Sequence, residues 1–531
     1  MSLAARTGRA LYDVIVIGAG INGAAIAREA ALSGLAVLLV ERGDLAAGTS
    51  SASSRLIHGG LRYLEHFELG LVRESLNERE RLLRHAPHLV APLELCIPVY
   101  ARARRKRWQI AAGLTLYDWL SVDRSLPGHT PLGRDALLAK LPGLNRDGLV
   151  GGASYFDAQA RYPERLVVEN VLDAAANGAV VKTYTRVTRI VVEGGRATGV
   201  EWRTADGATG GAHAHVVVNA AGPWVDETLG PIRHTRLIGG TKGSHLIAPP
   251  FPGAPSAGVY VEAGSDARPL FILPWNDLLL VGTTDERVDD PSAAAATTRE
   301  LEYLARETER VFPAAAGLAS RVLYTYTGVR PLPYQPRGAE GAITRRHIIR
   351  RHRAARGLYS VVGGKLTTHR ALAEDVLAVL RGQLRGLGRR KPTRERPLPG
   401  ALGPKERDEL LADVGATLNA SQAKRLWGVY GAAALKVAEL ARSAPELAST
   451  IGAGAALVAE LVYAREVEWA VTLEDVLQRR CMAGLGPDLG LGAAEPAARW
   501  LVRLGVWDSA RAESELADYR ARAARQRAPV P

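Results

Sequence analysis

Three glycines stand in the run Gly18-Ala19-Gly20-Ile21-Asn22-Gly23, and Glu41 follows 23 residues after the first. In a phosphate-binding turn these residues divide the work. The first glycine permits the turn, the second lets backbone approach a pyrophosphate, and the third lets helix and strand pack closely. Amides at the helix start then face the phosphate oxygens with partial positive charge. A carboxylate at the spacing of Glu41 accepts both hydroxyls of an adenosine ribose. With 55 glycines in the chain such a triplet arises by chance, so its flanks decide. LYDVIVI (11–17) reads as a buried strand, 21–33 as an Ala-rich helix stopped by Gly34, and LAVLLV (35–40) as a second buried strand. That is a βαβ unit for a parallel sheet covered on both faces. The carboxylate argues against NADP and leaves NAD and FAD open. Two later segments, HVVVNAAGPW (215–224) and SVVGGKLTTHR (360–370), end strands in small residues. Glycine turns so far apart suit a long cofactor lying extended through the domain, although packing turns would read the same.

The elements that position these residues come from 531 residues, 47% hydrophobic and 23% charged, enough for several domains and a large core. Global disorder is excluded by that composition. Cys96 and Cys481 are too few for a disulfide framework, a cysteine-built zinc site or an iron–sulfur cluster, and they suit a reducing compartment. No metal site is expected. The formal charge of +13 is mostly arginine, since only nine lysines are present. It serves an anionic substrate, a nucleotide or an acidic lipid surface as well as a polyanion. Neither zinc-finger spacing nor a long basic recognition helix points to nucleic acid. No apolar run reaches the roughly 18 residues that span a bilayer, and the N-terminus lacks a signal-peptide pattern.

Further strands are expected at 187–192, 199–203 and 214–219, and short strands alternate with turns between 236 and 284. Helical spacing marks 71–86 and 367–384, and the stretch from 408 to 531 is helical in pattern with a frayed end. The expected partition assigns 11–95, 151–235 and 331–385 to the nucleotide-binding domain and 96–150 to a helical insertion on the substrate side. It assigns 236–330 to a substrate sheet, 386–407 to a linker and 408–531 to a helical C-terminal domain.

GAGINGA (18–24), TSSASSRLIHGGLRYLEH (49–66), KGSH (242–245), GTTD (282–285), TYTGVRPL (325–332) and GGKLTTHR (363–370) together resemble the FAD-dependent sn-glycerol-3-phosphate dehydrogenases, the bacterial aerobic, membrane-associated type. The resemblance runs from about residue 11 to residue 480 and takes in EVEWAVTLEDVLQRR (466–480). It implies an α/β fold: an FAD-binding Rossmann-like domain, an inserted antiparallel-sheet substrate domain and an all-helical C-terminal domain. The implied reaction converts sn-glycerol 3-phosphate to dihydroxyacetone phosphate and passes electrons to membrane quinone. Gly18, Gly20, Gly23 and Glu41 would hold the ADP half of FAD. Thr49, Ser50, Ser54, His58 and Gly59 would run along pyrophosphate and flavin, and Gly363, Lys365, Leu366 and Thr367 would close around the ring. Asn22, Val187 and Gly222 complete the expected cofactor contacts.

Oxidising a secondary alcohol removes a proton from oxygen and a hydride from carbon, and a near-dianionic phosphate calls for cationic forks. By the resemblance Arg62, Tyr63, His245, Arg330 and Lys365 line the substrate pocket. His245 is the preferred proton acceptor because its reference pKa lies near 6.5, with Lys365 or Arg330 stabilising developing charge. Asp285 is expected to organise a turn near the pocket. The stretch DAQARYPERLV (157–167) departs from the family pattern and is expected to alter a pocket wall. Five cations between Arg102 and Arg107, followed by Trp108, Ile110, Leu114, Leu116, Tyr117 and Trp119, suit a helix lying on anionic lipid. The expected location is the cytoplasmic face of the membrane, peripheral, with soluble cytoplasmic as the fallback, and a homodimer is expected from the family. An oxidase passing electrons to oxygen, another flavin-dependent oxidoreductase and a non-enzymatic flavin-binding protein are the alternatives.

Overall fold

The structure is a computed structural model that describes residues 11–121, 125–337, 343–384, 387–388 and 391–527. Leu11–Ile17 pairs in parallel with Val37–Val40 on one side and with Thr209–Asn219 on the other. Val180–Lys182 and Leu358–Val362 extend the parallel set outward, and Ile348–Arg351 adds an antiparallel edge. Alternation along the central strand explains its continuous apolar run. Val14 and Val16 pack with the helices Ile21–Leu32, Pro163–Ala176 and His369–Leu380. Ile15 and Ile17 pack with the hairpin Thr185–Glu193 and Arg196–Thr204 and with Val225 and Leu229. Both faces are covered, so both carry apolar residues.

A second, ten-stranded sheet carries the expected strands of the 236–284 region, with Thr241–Ala248 between Leu278–Gly282 and Tyr324–Arg330. Its middle departs from the expected partition. Val90–Tyr100 and Leu149–Ala160 pair along nearly their whole length and belong to this sheet, so 96–150 is not simply helical. Pro92 and Pro98 interrupt one strand and Gly151-Gly152 the other, which hides both from a reading by β-propensity. All pairings in this sheet are antiparallel except that of Gly258–Glu262 with Val90–Tyr100.

Helices from Pro404–Thr417 to Ser509–Gln526 form the C-terminal region, and their core is continuous with the second sheet through Leu95, Tyr155, Leu280 and Tyr324. The last helix runs to Gln526, where fraying was expected from 521, because Tyr519 and Ala523 are buried on it; residues 528–531 lie outside the described residues. The expected linker is strapped down where it is described. Arg28 donates to the carbonyls of Arg396 and Pro397, the Thr393 amide donates to Glu29, and Leu398 is buried.

The helix expected on the basic segment starts only at Arg107 and ends at Leu120. Leu114, Tyr117 and Leu120 face the core, whereas Trp108 and Trp119 stand 71% and 75% exposed; Phe67 is exposed at 86%. Arg105 is taken up by Glu65 and Glu262. Among the described residues no helix is long and apolar enough to cross a membrane.

Candidate active site

A cavity of about 760 Å³ lies between the two sheets, and the glycine turn after Leu11–Ile17 forms one end of it. Gly18 adopts φ +100°, and a Cβ there would lie 2.7 Å from the Ala220 carbonyl oxygen. A Cβ on Gly23 would overlap the Gly18 carbonyl, so Gly23 serves helix–strand packing and is not on the wall. Ser50 Oγ accepts the Ile21 amide at 2.9 Å, tying the Ser-rich block to the helix start. Glu41 accepts from the amides of Ala19 at 2.7 Å and Gly43 at 2.9 Å, while burial pushes its carboxyl up. Asn22 donates to the Gly363 carbonyl at 3.4 Å and leaves its buried Oδ1 without a partner among the described residues. These residues fit a dinucleotide: open backbone at Gly18 and Gly20, a carboxylate fixed by amides, and an orphaned acceptor at the helix start.

The rest of the expected cofactor set divides between wall and backing. Thr49, Ser50, Ser54, His58, Val187, Gly222, Lys365, Leu366 and Thr367 are on the wall. Gly59 and Gly363 are behind it: the Gly59 amide donates to Tyr117 Oη at 2.8 Å, and Gly363 turns the chain at φ +80°. Thr49 donates to the Val329 carbonyl at 2.6 Å, joining the wall to the second sheet. His58 is pushed down to about 3 by burial and by the charges of Lys365 and Arg79.

At the other end Arg62, Tyr63, Arg330 and Lys365 are all on the wall. Arg330 donates to Asp285 Oδ1 at 3.0 Å and to Thr283 Oγ1 at 3.0 Å, and Pro331 follows it. Arg62 makes no hydrogen bond or ion pair with the described residues, leaving its fork for a ligand. Burial raises the Tyr63 hydroxyl above its ordinary value, and Arg345, Arg330 and Arg62 all act on it in the opposite sense. Lys365 Nζ donates to the carbonyls of His58 at 3.2 Å and Gly59 at 3.4 Å, and lies 4.7 Å from the Tyr63 ring centroid. Burial pulls Lys365 down to about 7. Its third partner at 3.0 Å is the Ser75 hydroxyl, which accepts from an ammonium and can donate to a neutral amine.

His245 differs from expectation. Its side chain is not on the cavity wall; it is 2% exposed, stacked on Tyr326, with Nε2 2.8 Å from Ser54 Oγ, and Ser54 is what faces the cavity. Burial, with Arg330 and Arg55 nearby, pushes it down to about 3, so the ordinary value assumed for it does not hold. Arg345, which nothing in the sequence pattern marks, is also on the wall. It shares Asp285 with Arg330 at 3.4 Å, and its Nη1 is buried without a partner among the described residues. Arg268 also reaches this end, donating to the Asp285 carbonyl at 2.6 Å. Burial pushes the Asp285 carboxyl up, but Arg330 and Arg345 outweigh it and hold it below its ordinary value. The 157–167 stretch is not on the wall. Glu164 pairs with Arg55 at 2.9 Å and Asp157 with Arg79 at 2.8 Å, both buried, so the departure from the family pattern braces the loop from behind.

Comparison with known proteins agrees with this geometry. The family profile described as FAD dependent oxidoreductase matches residues 13–378, and that described as the C-terminal domain of alpha-glycerophosphate oxidase matches 391–512. A glycerol-3-phosphate dehydrogenase of Synechocystis sp. is 42% identical, over 96% of this chain and 95% of that protein. A D-erythritol 1-phosphate dehydrogenase of Brucella abortus is 37% identical, over 88% and 93%. The X-ray structure of the glycerol-3-phosphate dehydrogenase from Bacillus halodurans complexed with FAD superposes with a TM-score of 0.82 at 26% identity, covering 99% of this chain and 97% of that one. With a dinucleotide cradle at one end of the cavity and clustered guanidinium groups at the other, the chain belongs to the FAD-dependent oxidoreductases, in the glycerol-3-phosphate dehydrogenase group.

Proposed function

We propose that this protein oxidises the secondary alcohol of sn-glycerol 3-phosphate, giving dihydroxyacetone phosphate. The observation that carries the reading is the cluster of Arg62, Arg330, Arg345 and Lys365 around Tyr63 on one wall of a dinucleotide cavity. These guanidinium groups are only partly offset by the Asp285 carboxylate, and the remaining positive charge suits a phosphate monoester carrying roughly −1.5 to −2 at neutral pH. The planar donors of arginine suit its oxygens. Bound FAD supplies the hydride acceptor.

Lys365 Nζ takes the hydroxyl proton in this reading, in place of His245. A base titrating near the working pH is most effective, and Lys365 at about 7 meets that condition on the cavity wall. His245 acts on the cavity through Ser54, whose hydroxyl it orients. The Glu41 end holds the ribose and the helix start the pyrophosphate.

The electron acceptor is a membrane quinone, and the protein sits peripherally at an anionic cytoplasmic membrane face. Exposed Trp108, Trp119 and Phe67, flanked by Arg102, Arg104, Lys106 and Arg107, support that placement. Anaerobic mixing with sn-glycerol 3-phosphate tests the substrate: the flavin's visible absorption should bleach, faster than with D-erythritol 1-phosphate, and a flavin that stays oxidised overturns the reading. In aerated turnover, reduction of a quinone analogue should exceed peroxide release; the reverse identifies an oxidase.

A further inference from the structure

Asp44 stands behind the wall at the Glu41 end. Residues 41–43 and 47–50 line the cavity on either side of it, but its own carboxylate is buried and taken up by the C-terminal domain. Oδ2 accepts from Arg479 Nε at 2.6 Å and Arg480 Nη1 at 2.9 Å, and Oδ1 accepts from Arg480 Nη2 at 2.6 Å. The adjoining wall, the strand Thr185–Glu193, begins after Tyr184. The Tyr184 hydroxyl lies 2.8 Å from each oxygen of Asp475, to which it donates. Arg479 Nη2 also donates to Asp475 at 2.7 Å, closing the set. The two walls are joined in backbone, since the Tyr184 amide donates to Gly43 and the Thr185 amide to Glu41.

One turn of the C-terminal domain therefore grips both walls. It is a π-turn, Asp475–Arg480, with the Cys481 amide donating to Val476 at 2.9 Å. In an α-helix residues five apart are rotated by about 140°; the wider turn sets Asp475, Arg479 and Arg480 on one side, and such turns recur at functional sites. The grip is itself anchored. Arg480 donates from Nε and Nη2 to the Glu468 carbonyl, and the Glu468 carboxylate pairs bidentately with Arg165 on the helix Pro163–Ala176.

We propose that the turn Asp475–Arg480 is a positioning element for FAD: by holding Asp44 and Tyr184 it fixes the walls that meet the adenosine half, so the C-terminal domain governs how long the cofactor stays bound. The proposal rests on the placement of that half beside Glu41 and not on the substrate. Its test uses the full-length holoenzyme, and its deciding readout needs no turnover: FAD release after dilution is followed by the rise in flavin fluorescence, with unfolding followed in parallel by circular dichroism. Tyr184→Phe removes one hydroxyl and should speed release about threefold; Arg480→Gln should speed it tenfold or more, with Arg480→Lys between them. With FAD in excess, KM for sn-glycerol 3-phosphate should change less than twofold. Release at the parent rate in Tyr184→Phe and Arg480→Lys overturns the proposal, as does release that coincides with unfolding in every variant. Should Arg480→Gln fail to fold, those two milder variants decide the outcome. A flavin that is released faster yet never reduced by substrate would remove the substrate reading and leave this one standing.

Discussion

At the Glu41 end of the cavity, contacts come from backbone amides and short side chains set by a parallel sheet: Gly18, Gly20, Ser50 and a carboxylate pinned by two amides. At the Arg330 end they come from long charged side chains carried by the antiparallel sheet and by neighbouring turns, held in place by one another through Asp285. The first end is built to fit shape, through backbone amides and short side chains around Glu41, with Arg42 and Glu227 paired on the same wall. The second recognises charge, and burial has moved its lysine into the physiological range. Substitutions at the two ends should therefore differ in kind: loss of cofactor on one side, loss of turnover and altered pH dependence on the other.

The largest effect should come from Lys365. Burial lowers its pKa to about 7, so it is protonated below that pH and neutral above it. As a proton acceptor it makes kcat/KM rise with pH through about 7 and level off above. Lys365→Met should lower kcat by about 10³ and abolish the rise, since positioned general bases contribute roughly 10²–10⁴. Lys365→Arg keeps the charge and should be no better, which separates proton transfer from electrostatic support. A profile unchanged in both variants assigns the pH dependence to another group.

Arg330 comes next. Arg330→Met removes a charge-assisted fork and leaves Asp285 with one guanidinium fewer, so kcat/KM should fall about 10², in line with the 1.5–3 kcal/mol of a hydrogen bond to a charged group. Phosphate-free glycerol, a poor substrate to begin with, should lose nothing. Equal losses for both alcohols would place Arg330 at the reacting carbon instead.

At the opposite end, Gly18→Ala puts a Cβ against the Ala220 carbonyl in a left-handed backbone, a cost of about 1–3 kcal/mol. FAD affinity should fall about tenfold or more, while kcat at saturating FAD stays within twofold. A fall in kcat with unchanged FAD affinity would show that the two ends are less independent than their construction suggests.

The difference between the ends also explains what the sequence revealed. The glycine turn was legible because its chemistry is local: strand, turn, helix and Glu41 lie within 31 residues, from 11 to 41, and the continuous apolar strands agree with the helical spacing between them. Arg345 was illegible because it is one arginine in TRRHIIRRHR, and only its shared contact with Asp285, 60 residues away, sets it apart. Val90–Tyr100 and Leu149–Ala160 escaped for a similar reason: each looks poor alone and is secured by the other. His245 was placed on the right strand and misjudged in its surroundings. Alternation along Thr241–Ala248 sends Lys242 and Ser244 to Glu300 and His245 to the opposite face, against Tyr326, with Ser54 between it and the cavity.

That placement makes the smallest prediction the most discriminating one. A histidine lowered to about 3 stays neutral across the pH range in which the enzyme would be assayed, so it adds no limb to the pH profile. What it offers the cavity is the hydrogen bond at 2.8 Å to Ser54, worth about 1 kcal/mol. His245→Asn keeps a hydrogen-bonding side chain of smaller size and should lower kcat/KM only about threefold to tenfold, with the rise through pH 7 in place. Ser54→Ala should produce a loss of the same size, and the double variant should lose little more than either alone, because both act through one bond. Additive losses, or a pH limb that disappears with His245, would return the proton to the histidine and leave Lys365 as the charge that steadies it.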